Sequence, residues 1–146
     1  MQGTDVTEIW NRLLSTPMQL MTKQERIVHA VNVFLIDFWQ GGWLYNVSPH
    51  ASENQQSWVH LRGVAAAVAA IGATGVAECL TKIAEIVELP LLSRHSGTWG
   101  SFLASVDPQG RISALEREIG GELSAVYEQL EAYTVALLSN SASGAA

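Results

Sequence analysis

Residues Thr22–Trp43 read TKQERIVHAVNVFLIDFWQGGW, and this stretch decides the fold. Thr22 and Glu25 stand at capping-box spacing, where the Thr oxygen takes a free helix N–H and the Glu reaches back to the first residue. Ile27, Val31, Leu35 and Phe38 follow at steps of four, four and three, with Val28, Val33, Phe34 and Ile36 on the flanks. Gly41-Gly42 comes after Gln40, and glycine most easily takes the positive φ at which a helix stops. Between Arg26 and Glu53 the one charged side chain is Asp37. A helix apolar nearly all round is buried, so about 22–40 is expected to be a central helix on which the others pack.

Working outward, Val6, Ile9, Trp10, Leu13 and Leu14 lie at helical spacing and predict a first amphipathic helix over Asp5–Ser15, ended by Pro17. After the glycines, WLYNVSPHA reads as an ordered loop, because Asn46, Ser48 and Pro49 break any alternation. Ser52 and Gln55 repeat the capping-box spacing and open a third helix, with Trp58, Leu61, Ala65, Val68 and Ile71 on one side and an alanine-rich face for close approach. Gly72 closes it. Thr74 is the expected N-cap of a fourth helix carrying Val76, Leu80, Ile83 and Val87, stopped by Pro90. So short a connection makes helices three and four an antiparallel hairpin.

Leu91–Gly110 is rich in turn formers, with a short helix expected near 99–105. Asp107-Pro108 offers a cap and first position for the next helix, and Ser113 with Glu116 a second start. Ile112, Leu115, Ile119, Leu123, Val126, Leu130, Tyr133 and Leu137 stay in phase straight through Gly120-Gly121. Two interior glycines cost roughly 1 kcal/mol each, less than eight in-phase apolar side chains return. One long helix over about 111–139 follows, with 140–146 a disordered tail. The expectation is one all-α domain over 1–139, with five or six helices.

The chain has 146 residues, 48% apolar and 15% charged, which suits a globular domain with a real core. A net charge of −6 with basic residues scattered singly argues against direct binding to nucleic acid or an anionic membrane. Cys79 is alone, so no internal disulfide forms, and its helical position suits a small core hydrophobe. No signal peptide is visible before or beside Asp5 and Glu8, and the longest uncharged run is too short to span a bilayer. A cytoplasmic protein is expected.

For chemistry, no two of His29, His50, His60 and His95 stand at a spacing that pairs them on one helix face, so no metal and no cofactor is expected. His29 is expected to be a partly buried hydrogen-bonding residue. Asp37, an acid in an apolar helix, reads as a structural clamp accepting hydrogen bonds from nearby donors. Carboxylates one turn apart on a rigid helix can stand in for successive phosphates. Turning the last helix at 100° per residue puts Glu118 and Glu122 on one flank of its apolar stripe and Glu128 and Glu131 on the other, as on any solvated helix.

The passage ERIVHAVNVFLIDFWQGGW, with the later AAIGATGVAECLTKIAEIVE, resembles the DNA-mimic protein family, whose helical domain is otherwise catalogued mainly as one of unknown function. Asp37 sits where that family usually has Glu and Gln40 where it has Asn. Gly41 and Gly42 match, Trp43 replaces Phe, and Ile71-Gly72-Ala73 matches. The likeness covers about residues 20–90. It implies an all-helical fold and, in the best-known members, a dimer whose acidic surface imitates DNA and sequesters a transcription regulator.

Three functional readings follow. The first is a non-enzymatic protein-binding domain, an acidic DNA mimic in which Glu85, Glu88, Glu118 and Glu122 meet a basic DNA-binding regulator. The second is a helical module that binds through an apolar face. The third is a small-molecule or enzymatic pocket near Asp37, Trp43, Tyr45 and His29. A homodimer is expected from the length of the last helix.

Overall fold

A computed structural model describes the backbone of residues 3–40, 57–92 and 104–144, and side chains over 6–40, 61–87 and 104–140. The elements are α1 (Gly3–Leu14), a short 3-10 turn (Met18–Leu20), α2 (Lys23–Trp39), α3 (Ser57–Ala70), α4 (Thr74–Leu92) and α5 (Arg111–Gly144). Among the described residues there is no strand, and the fold is all-α with a long C-terminal helix.

The helices pack in a ring. α2 lies against α3, α3 against α4, α4 against α5, and α5 against α2, while α1 covers the seam between α2 and α5. The core sits inside that ring, with Val28, Val31 and Phe34 of α2, Leu61 and Val68 of α3, Leu80 and Ile83 of α4, and Ile119, Val126 and Leu130 of α5. α2 thus has three helical neighbours, the central position its sequence predicts. It is not enclosed on every side, however, because a helix in the wall of a ring buries the residues that face neighbours. Ile36 is 38% exposed and Trp39 80%.

Local signals account for most helix ends. The capping box of α2 is complete, with Glu25 N–H donating to Thr22 Oγ1 (3.1 Å) and Thr22 N–H donating to Glu25 Oε1 (2.9 Å). The other oxygen of Glu25 accepts from Arg12 Nη2 at 3.1 Å, which straps the end of α1 to the start of α2. α3 closes in a Schellman motif: Ala73 N–H bonds to the Val68 carbonyl, Gly72 N–H to that of Ala69, and Gly72 takes φ +98°. From α5, Gln129 Nε2 donates to the Gly72 carbonyl at 3.1 Å.

Four expectations shift. Thr74 is the first residue of α4 rather than its cap, because the Schellman turn is tight enough for the Ala73 carbonyl to accept Ala77 N–H. Pro90 does not stop α4, which runs on to Leu92; proline withholds its own N–H but lets the next residues finish the turn. Asp107 does cap α5, but from across a turn and not with Pro108 as first helical residue. Its carboxylate accepts from Arg111 N–H (2.7 Å) and Ile112 N–H (2.8 Å), with Gly110 at φ +70° between. α5 also continues past 139 to Gly144, and passes through Gly120-Gly121 as its apolar period requires.

Several predicted features lie outside the described residues: Gly41, Gly42, Trp43 and Tyr45, the Ser52/Gln55 capping pair, His50 and His95, and the 93–103 stretch. The side chains of Trp58, His60 and Glu88 lie outside them as well.

Candidate functional site

Three helices each contribute one stripe to an open groove of about 680 Å³. α2 supplies Asn32, Leu35, Ile36, Trp39 and Gln40; α5 supplies Leu123, Ser124, Tyr127 and Glu128; α1 supplies Thr7 and Trp10. The spacings three, four and seven on α2, and the i,i+4 pairs Leu123/Tyr127 and Ser124/Glu128 on α5, are those that bring side chains to one side of a helix.

The floor of the groove is held by a buried hydrogen-bond chain. Trp10 Nε1 donates to Thr134 Oγ1 at 3.0 Å, and that hydroxyl donates to the Leu130 carbonyl at 2.8 Å. Thr134 is wholly buried, so the bond fixes α1 against α5 without water. The Trp10 ring then meets Tyr127 edge to face, centroids 5.4 Å apart. On the upper walls Tyr127 is 48% exposed, facing the free edges of Ile36 and Trp39.

Asn32 is the unusual member. It is 9% exposed, lines the groove, and makes no hydrogen bond to another described residue. Its amide is not among the buried polar groups left without a partner, so it opens to the groove. Asp37 falls outside the lining residues and is half-buried.

The predicted acids divide between two other surfaces. Glu118 and Glu122 line a cleft between α4 and α5 together with Gly75, Val76 and Cys79. Glu85 lines a separate shallow groove with Ala69, Thr74, Glu78 and Lys82. On the opposite flank of α5, Glu128 reaches the α1–α2–α5 groove, as the 100° rotation requires. Cys79 is buried, as expected of a core residue, and its Sγ donates to Glu118 Oε2 at 3.3 Å. Burial first, and the Glu118 carboxylate second, push the thiol up to about 11, so at neutral pH it is not a nucleophile.

His29 does not match the expectation of a hydrogen-bonded residue at Nδ1. That atom is buried with no partner among the described residues, beside a groove between α2 and α3 that Lys23 and Arg26 also line. Among the described residues, no group of three or more His, Cys, Asp or Glu is placed to hold a metal ion. No helix there is long and apolar enough to cross a membrane.

No protein-family model, no curated protein and no solved structure matches this chain. The comparisons therefore leave the likeness to DNA-mimic proteins where the residues put it.

Sequence reasoning missed the α1–α2–α5 groove. In the sequence Trp10, Leu35 and Leu123 read as apolar-stripe residues and Glu128 as a solvated flank, and nothing marks them as one site. The available signal was a carboxamide in phase with Leu35, Ile36 and Trp39, and it needed the neighbouring helices to acquire meaning.

Proposed function

We propose that this chain is a non-enzymatic binding domain whose working face is the groove between α1, α2 and α5. The observation that carries the reading is the exposure of Trp39, Tyr127 and Ile36 on the facing walls of one groove, while most large apolar side chains of the helical core are buried. Aromatic and aliphatic walls with a few convergent polar groups recognise a ligand by shape and hydrogen bonding. The test uses Nile red, a neutral dye that brightens in apolar surroundings. The chain should enhance its emission, and Trp39→Ala should remove most of the enhancement while leaving the thermal midpoint unchanged. Enhancement that survives Trp39→Ala at full strength rejects the groove as the binding face.

A second reading, acidic mimicry of DNA, draws on Glu118 and Glu122, exposed and one turn apart on α5, about 6 Å by helical rise. Glu85 belongs to a different surface strip, which narrows the candidate patch to the α4–α5 edge. This reading requires capture of a basic DNA-binding regulator that weakens steeply with added salt. Capture indifferent to salt excludes it.

A further inference from the structure

We infer that the α1–α2–α5 groove takes a lipophilic organic cation, an apolar body carrying a positive charge and a hydrogen-bonding nitrogen. The inference rests on the reading of this groove as the binding face and adds the class of ligand. Size agrees first: about 680 Å³ falls within the roughly 300–1,000 Å³ of small-molecule sites.

The sign of the walls is the second argument. Trp10, Tyr127 and Trp39 bring one aromatic ring from each of three helices, and the face of such a ring attracts cations. Among the described residues lining the groove the one formal charge is the carboxylate of Glu128, with no Lys or Arg. An anionic ligand would find neutral donors but no positive charge among those residues. A second copy of this chain is also a poor occupant, since it brings the same acidic rim and a net charge of −6.

Asn32 is the third. A carboxamide nine-tenths buried, lining the groove and unbonded to any described residue, offers both a donor and an acceptor to whatever enters. Because the amide is bonded to no described residue and opens to the groove, both its donor and its acceptor are available to a ligand there.

The experiment compares two aromatic dyes on the nucleic-acid-free full chain by fluorescence titration: ethidium, a cation with amine donors, and anilinonaphthalene sulfonate, an anion. Ethidium should bind at least about tenfold more tightly than the sulfonate. Glu128→Gln should weaken ethidium by roughly three- to tenfold and leave Nile red unaffected. Asn32→Leu should weaken ethidium with the thermal midpoint unchanged or raised, since the amide bonds no other described residue and its loss leaves no polar group unpaired. Equal affinity for the two dyes, or ethidium binding insensitive to Glu128→Gln, overturns the inference. So does an Asn32→Leu midpoint lowered by more than about 5 °C, which would give the amide a structural partner. If Nile red depends on Trp39 while the dyes bind equally, the groove stands and the cation is wrong. If Nile red is independent of Trp39, both readings fail.

Discussion

The α3–α4 hairpin and the α1–α2–α5 corner are both packed helices, yet one is sealed and the other open, and the helices of the hairpin are the more apolar. In the hairpin a three-residue Schellman turn sets two helices side by side, alanines let the backbones approach, and Val68, Leu80, Ile83 and Ala84 are completely enclosed. At the corner, α1 is a short helix held to α5 by the Trp10–Thr134 bond and to α2 by the Arg12–Glu25 pair. There Trp39 and Tyr127 remain exposed. Strongly apolar helices with small residues thus close on each other, and more amphipathic ones leave part of their large apolar side chains as surface.

The sharpest way to break this contrast is to truncate one large side chain in each region. Leu80→Ala empties a fully enclosed site and should cost about 2–5 kcal/mol, lowering the thermal midpoint by roughly 10 °C. Trp39→Ala removes a larger side chain that is already wet, and should change stability by no more than about 0.5 kcal/mol. Similar losses in calorimetry would erase the distinction between the sealed and open regions.

Trp10→Phe tests what holds the corner together. It removes the donor to Thr134 and part of a buried ring, while the Thr134 hydroxyl keeps its bond to the Leu130 carbonyl. The expected cost is about 2 kcal/mol, read by urea denaturation. A neutral result would mean that α1 is held by its aliphatic contacts alone.

Glycine replacements separate turn from helix. Gly72→Ala forces φ +98° on a residue with a Cβ and should cost about 1–2 kcal/mol. The added carbon meets only Gln129 Nε2, at 3.6 Å, so the penalty is conformational and not a collision. Gly121→Ala meets nothing within 4 Å inside α5 and should stabilise by about 1 kcal/mol. A stability loss for Gly121→Ala would show that α5 needs flexibility there.

The smallest effect concerns pH at the α1–α2 strap. The Thr22 backbone N–H, helped by Arg12 and opposed by partial burial, holds the Glu25 carboxyl below its ordinary 4.5. The unfolded chain therefore binds this proton more readily than the folded one. The contribution is complete above pH 4.5 and disappears as pH falls through the lowered folded value. Glu25→Gln should flatten that part of the acid limb, and Thr22→Ala should lose about 1 kcal/mol at neutral pH. An acid limb unchanged by Glu25→Gln would mean that the strap is electrostatically silent.

How much of this could be read beforehand depends on the range of the interaction. The Thr22/Glu25 box, the closure at Gly72 and the apolar phase of α5 through two glycines are local, and each is where the residues put it. Asp107 was legible as a cap but not in its geometry, because the left-handed Gly110 moves the helix start three residues beyond Pro108. The acids were legible as flanks of α5. Their division between the α4–α5 cleft and the groove was not, since it depends on which helix lies on each side.

By itself, the amino-acid order determined that this chain is helical, where α2 begins and α3 closes, and which stripe of the helices turns inward. Those properties come from hydrogen bonds and side-chain periods that span a few residues. Only the tertiary structure decided that the Trp10 indole N–H donates to the Thr134 hydroxyl, 124 residues away. It also decided that Asn32 lines a groove while nine-tenths buried and that Trp39 and Tyr127 line the same opening. Whether an apolar side chain becomes core or binding surface depends on what other segments leave uncovered, and no local pattern carries that information.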